Sequence, residues 1–184
     1  MREPEPETID RARNGDLRAF ESLVRDYQGD VWRFAYHLTR NRSMADDVTQ
    51  EAFLHAYRAM GSYRGEAKFT SWLLRIVRNC AVDAYRRVRR ERATAPGDDQ
   101  EDPAARHVAD QSSAADERIR ITAAVRALPI DLREPFVIIE ILGFNYREAS
   151  TILGVKVGTI KSRMHRARAT LMAALTEREA AGEM

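Results

Sequence analysis

The stretch Gly143–Leu175 constrains the chain more than any other. Asn145 stands where a helix N-cap would, and Glu148 follows three residues later, so the pattern predicts a helix from Tyr146 to Leu153. Gly154 can take the left-handed backbone that ends it. A second helix is expected from about Val157, with Ile160, Met164, Ala167, Leu171 and Leu175 at helical spacing. Lys161, Ser162, Arg163, His165, Arg166 and Arg168 fall on its other faces. Short helix, glycine turn and longer basic helix is the sequence form of a helix-turn-helix. The major groove of DNA admits one α-helix, and Arg or Lys can pair there with guanine edges. Most charge runs are only solvated helix faces. Here the turn glycine and the short preceding helix sit at the right spacing, and that favours DNA.

A chain of 184 residues fits one ordinary domain or two small ones. The net charge of +2 is weak support for nucleic acid, but its distribution is uneven. Basic residues crowd into Arg75–Arg92 and Lys156–Arg168, and acids into the N-terminal tail and Asp98–Glu117. The single cysteine excludes an internal disulfide and suits a reducing compartment. No apolar run approaches membrane-spanning length, and Met1–Thr8 is acidic and Pro-rich, unlike a signal peptide. A cytoplasmic protein without membrane insertion is expected.

No period-two apolar pattern is present, so the expected fold is all-α. Residues 1–8 read as a disordered tail. Asp16 is a candidate N-cap for a helix carrying Phe20, Leu23, Val24 and Tyr27 on one face. Gly29 reads as an interruption, with Val31, Phe34, Ala35 and Leu38 on a second helix beyond it. Ser43 and Asp46 resemble a capping box for the next, whose inward stripe is Ala45, Val48, Ala52, Ala56 and Met60. The helix dipole alone explains Asp46 and Asp47 in a first turn. It does not explain Gln50, Glu51 and Leu54, so a partner-binding face stays open.

In the loop Gly61–Lys68, Tyr63 and Arg64 lie between two glycines. Either the tyrosine packs down in a plain connection, or the loop offers a pocket for a base. Phe69–Arg92 then reads as a strong helix, with Phe69, Trp72, Leu73, Ile76, Val77, Cys80 and Ala84 as its stripe. Cys80 on that stripe is a small core residue. Arginines near the C-terminal end suit the dipole, but Arg75 and Arg78 sit too early for that account. Residues 93–115 lose the apolar period and gain Pro, Gly and acids, which marks a flexible acidic linker. Two small helical domains are therefore expected, over 9–92 and 116–178, with a tail at 179–184. The second opens with Ile119, Thr122, Ala123 and Arg126, and Asp131 with Glu134 suggests another capping box. An apolar helix holding Phe136, Val137, Ile139, Ile141 and Leu142 runs to Gly143.

Three motifs in order resemble the ECF (extracytoplasmic function) sigma factors, the smallest class of bacterial sigma factor. Ala45-Asp-Asp-Val-Thr-Gln-Glu-Ala-Phe53 is similar to that family's polymerase-docking helix. Phe69-Thr-Ser-Trp-Leu-Leu-Arg-Ile-Val-Arg-Asn79, with Asp83 and Arg86, is similar to its promoter-melting helix. Leu128-Pro129, Arg133, Tyr146-Arg-Glu148, Leu153-Gly154 and Gly158-Thr-Ile-Lys-Ser-Arg163 are similar to its C-terminal domain. The resemblance implies a non-enzymatic promoter-specificity subunit with no cofactor. It implies that 9–92 is sigma domain two and 116–178 sigma domain four. Asp46, Asp47, Gln50 and Glu51 would meet the clamp coiled coil of core RNA polymerase. Tyr63, Arg64 and Gly65 would capture a base flipped from the −10 element, with Asn79 beside it and Arg75 and Arg78 on the melting helix. Lys161, Ser162, Arg163, His165 and Arg166 would face the −35 element of promoter DNA. The linker would thread the polymerase cleft, and an anti-sigma factor would hold the protein inactive. Two departures stand out: Ala149-Ser150 where the family often has isoleucine-alanine, and Lys156 where a small polar residue or proline is common.

Two other readings compete with this one. A free-standing dimeric helix-turn-helix regulator would need a dimer face or ligand pocket in the first domain. A metal site could begin with Glu51 and His55 at i, i+4, but no third ligand is evident and the metal set is expected to be none.

Overall fold

The computed structural model describes residues 1–94 and 121–182, with side chains for 1–90 and 121–176. Every regular element among the described residues is helical. The first body is built from α1 (Pro6–Arg13), α2 (Leu17–Thr39), α3 (Arg42–Ala59) and α4 (Phe69–Thr94). The second is built from residues 121–127 (α5), α6 (Ile130–Phe136), α7 (Tyr146–Leu153) and α8 (Val157–Gly182). Of the expected linker, Ala93 and Thr94 end α4, and 95–115 lie outside the described residues. At the other end α8 continues to Gly182, past the expected start of a tail at residue 179.

In the first body α3 is the thin element. Its inward stripe of Ala45, Val48, Ala52 and Ala56 is completely buried, and small side chains let the flanking helices come close. Phe34, Leu23 and Val31 of α2 and Phe69, Leu73 and Val77 of α4 close over it. Asp16 caps α2 as expected, accepting from the Ala19 amide at 3.2 Å. Gly29 does not break that helix. It lies in regular helical backbone between two apolar stretches that share one buried face, and tertiary packing outweighs its poor helix propensity. The N-cap of α3 is Asn41, which accepts from the Met44 amide at 2.9 Å, ahead of the Ser43 expected to open a box with Asp46. Asp46 instead accepts from the Trp32 indole at 2.6 Å.

Residues 1–8, expected as a disordered tail, are ordered. Helix α1 begins at Pro6, a residue preorganised for a first helical turn. Ahead of it, the Tyr27 hydroxyl donates to the Arg2 carbonyl at 2.6 Å, and Glu3 accepts from the Thr70 hydroxyl at 2.8 Å.

The second body wraps α6 and α7 around the apolar stripe of α8, where Ile160, Met164 and Ala167 are fully buried. Glu134 does not form the expected capping box, since the N-cap of α6 is Pro129 with no side-chain bond. After Pro135 the helix relaxes into one π turn, Val137–Ile141, with the Leu142 amide reaching the Val137 carbonyl at 3.0 Å. Gly143, at φ 77°, then turns the chain into α7.

The two bodies pack directly on each other, through α7 against α4 and α6 against α2. Leu74 and Ala81 of α4, off the expected stripe, are buried too, whereas Trp72 and Ile76 on that stripe are only half-buried. Most directed contacts across the seam are polar. Arg133, only 3% exposed, donates to the Leu38 carbonyl at 3.2 Å, and Arg40 donates to the Leu128 carbonyl at 3.0 Å. Arg78 pairs with Glu134 at 3.0 Å, and Lys68 with Glu148 at 2.6 Å. Arg126 lies over the Tyr36 ring at 4.8 Å and donates to its hydroxyl at 2.8 Å, while Tyr36 stacks on Trp32.

Candidate nucleic-acid interface and neighbouring grooves

The helix-turn-helix is fixed by local chemistry. The Asn145 carboxamide oxygen accepts from the amides of Arg147 and Glu148, both at 2.9 Å. Glu148 returns the bond by accepting from the Asn145 amide at 2.8 Å, which completes a capping box. Gly154 ends α7 at φ 66°. Ser150 then ties the turn, its hydroxyl donating to the Val155 carbonyl at 2.5 Å. The Ala149-Ser150 departure therefore adds a bond as well as removing volume. Lys156 precedes the first residue of α8 and is exposed, so it is free to face an anion.

Because the buried stripe of α8 fixes its rotation, the residues between its members must face outward. Lys161, Ser162, His165 and Arg166 are exposed and Arg163 is half-buried, so all five expected residues share the outer side. They span about 8 Å of helix, a length that fits one groove. Arg168 is engaged with Glu140 at 2.6 Å.

The loop before α4 follows the plainer of its two sequence readings. A 3₁₀ turn, Met60–Ser62, leads into Tyr63, whose ring packs on Trp72 at 5.1 Å and Phe69 at 6.1 Å. The Tyr63 hydroxyl donates to the Ala67 carbonyl at 2.6 Å, and burial raises its pKa. Arg64 and Gly65 stand exposed at the loop tip, Gly65 at φ 74°. Arg75 and Asn79 are exposed on α4. Arg78 is not with them, because it faces the second body.

Beside Asn79 lies a cavity of ≈ 480 Å³, lined also by His55, Arg58, Ala59 and Ile76. Three of these come from α3, so its composition is not visible from α4 alone. The one visible signal was the i, i+3 spacing of His55 and Arg58 on a polar face. A guanidinium, an imidazole, a carboxamide and an aliphatic wall suit a planar polar ring with a phosphate beside it. No group of three metal-capable side chains exists among the described residues. Glu51 pairs with Arg87 at 2.7 Å, and the His55 Nδ1 lies 3.5 Å from the Cys80 sulfur. Burial pushes that thiol up to about 11.

A second groove, of ≈ 540 Å³, runs between α2 and α3. Phe20, Val24, Phe53 and the half-exposed Leu17, Leu54 and Tyr57 supply its apolar surface. Asp46 and Gln50 stand among its lining residues. Of the four residues expected on one face of α3, these two meet there. Asp47 is exposed outside the lining, and Glu51 is turned toward α4. Val24 was read on the inward face of α2 but lines the groove, and Leu17 of α2 and Tyr57 of α3 were missed because both lie outside their helices' buried stripes.

Residues 23–91 match the family Sigma-70 region 2, and residues 118–171 match Sigma-70, region 4. The chain is 37% identical over 157 residues to the ECF RNA polymerase sigma factor SigM of Mycobacterium tuberculosis, across 85% of this chain and 77% of that one. It is 34% identical over 187 residues to the RNA polymerase sigma-H factor of Pseudomonas aeruginosa, across 94% of each. The sigma factor RpoE, solved with the anti-sigma factor NepR from Bartonella quintana, superposes with a TM-score of 0.74 at 29% identity, covering 87% of this chain and 98% of that chain. CnrH, solved with the cytosolic domain of CnrY, gives 0.69 at 27% identity, covering 93% and 96%.

Proposed function

Since this chain belongs to the ECF family of RNA polymerase sigma factors, we propose that its two helical bodies read one promoter at two places, each through the residues set out below. As a sigma factor it directs core polymerase to promoters and starts transcription. The first body, within 9–92, acts as domain two and the second, within 116–178, as domain four, joined by 93–115.

One observation carries the reading: a capped, glycine-turned helix pair whose longer member is pinned by a buried stripe and turns Lys161, Ser162, Arg163, His165 and Arg166 outward. That face enters the major groove at the −35 element. Arg64, Gly65, Arg75 and Asn79 serve the −10 element, with the cavity beside Asn79 taking the flipped base. Tyr63 joins them by exchanging its packing on Trp72 for a base. Asp46 and Gln50, with the apolar groove behind them, dock the clamp coiled coil, and Asp47 and Glu51 widen that contact. The same groove and both bodies suit an anti-sigma factor, the kind of partner with which RpoE was solved. The protein works in the cytoplasm, where polymerase is, and no described helix is long and apolar enough to cross a membrane.

Transcription in vitro with purified core polymerase over a genomic promoter library tests this. Transcripts from a family of promoters sharing −35 and −10 sequences are expected. Operator binding as a symmetric dimer, with no transcripts, would replace the reading by that of a free-standing regulator.

A further inference from the structure

Two side chains that the promoter reading leaves without a task meet beside the ≈ 480 Å³ cavity. His55, on α3, lines that cavity and is exposed. Its Nδ1 lies 3.5 Å from the sulfur of Cys80, which is buried on α4 at 2% exposure. One edge of the imidazole is thus fixed against α4, and the edge carrying Nε2 is left to the open side, where the cavity is. Glu51, one turn earlier on α3, does not compete for the ring, because Arg87 takes it up at 2.7 Å.

The chemistry of the contact decides what Nε2 offers. Burial first, and then the charges of Glu51 and Asp83, push the thiol up to about 11, so near neutral pH the sulfur keeps its proton. A thiol sulfur is a weak acceptor and an imidazole nitrogen a good one, so the S–H donates to Nδ1. A neutral ring that accepts at Nδ1 carries its own proton on Nε2. A doubly protonated ring carries one there as well. In either charge state the cavity meets a donor at His55 and never an acceptor. Arg58 adds donors only, and the Asn79 carboxamide brings an amine and the one side-chain acceptor among the described lining residues. Such a donor-rich lining suits a base edge with two acceptors and one donor. Cytosine and thymine both present that count on the Watson–Crick edge, which a flipped base exposes. Guanine presents one acceptor and two donors there, and adenine one of each.

We infer that His55 is a specificity-determining residue of this cavity and Cys80 its positioning residue, and that together they favour a pyrimidine as the flipped base. This rests on the promoter reading proposed above and adds to it which base is taken and what holds the reader in place.

The test uses holoenzyme reconstituted with core polymerase, on a promoter drawn from the genomic library and randomised across its −10 element. Transcribed templates are counted by sequencing. Wild type should favour pyrimidines over purines at one −10 position by about fivefold. His55→Leu should level that position and leave preferences at the others in place. Cys80→Ala should lose most of the same preference, and Cys80→Ser, whose hydroxyl still donates to Nδ1, should keep it. Heteronuclear NMR correlating the ring protons with both ring nitrogens should show the Nε2-protonated tautomer of His55 in the free wild type. An unaltered profile in His55→Leu, an equal collapse at every position, or a purine preference at the altered position overturns the inference. An Nδ1-protonated ring, or a Cys80→Ala profile identical to wild type, removes Cys80 from it. No transcripts from the wild type overturns the promoter reading and this one with it; transcripts whose base preferences ignore His55 overturn this one alone.

Discussion

His37 sits half-buried on α2 with its Nδ1 bonded to nothing. Burial first, and then the guanidinium groups of Arg126, Arg133 and Arg33, push its pKa down to about 4. In the unfolded chain it titrates near 6.5. The folded imidazole thus stays neutral where the unfolded one takes a proton. Its contribution to stability is complete above pH 6.5 and is lost as pH falls through 4. The urea midpoint should drop across that window, and His37→Gln should flatten the drop relative to wild type. A parallel decline in both proteins would assign the loss to carboxylates. On the open face of α8, Arg166→Ala should cost roughly 1–3 kcal/mol at a specific promoter if the guanidinium meets a base edge. Equal weakening on every sequence in a competition assay would reduce it to a phosphate contact.

At the scale of the element, what was legible in the sequence was what neighbours in sequence decide. Asn145, Glu148 and Gly154 place both ends of α7 because each acts within a few residues of itself. The alanine stripe of α3 was legible for the same reason. Gly29 was misread because its fate is settled by Phe20, Leu23, Val31 and Phe34, all on one buried face of α2. Glu134 and Arg78 lie 56 residues apart, and no spacing rule joins them. Gly29 gives a prediction of its own. A Cβ there would meet nothing within 4 Å and the backbone is helical, so Gly29→Ala should stabilise the protein by about 0.5–1 kcal/mol in chemical denaturation. Destabilisation would show that the glycine accommodates a bend.

Across the whole molecule, three functions are spread over surfaces that one chain must keep apart. The proposed −35 face lies on the outside of α8, the proposed −10 residues sit between α3 and α4, and the groove proposed for polymerase lies between α2 and α3. Leu54 is half-exposed on that groove and outside the core. Leu54→Glu should therefore leave the melting temperature nearly unchanged while lowering affinity for core polymerase at least tenfold, about 1.4 kcal/mol. Undiminished co-purification with core enzyme would remove the groove from the account.

The contact of Trp32 with Asp46 on one side and Tyr36 on the other puts an intrinsic fluorophore between the groove and the seam. An occupant that draws Asp46 away strips the indole of its hydrogen-bond acceptor, and a second body that lifts off takes Arg126 from the stacked pair. Trp72, the other of the two tryptophans, lies in a separate aromatic cluster with Phe69 and Tyr63. The emission spectrum of the unlabelled protein thus carries its own gauge of docking and opening, with a second lamp of the same colour lit near the melting loop.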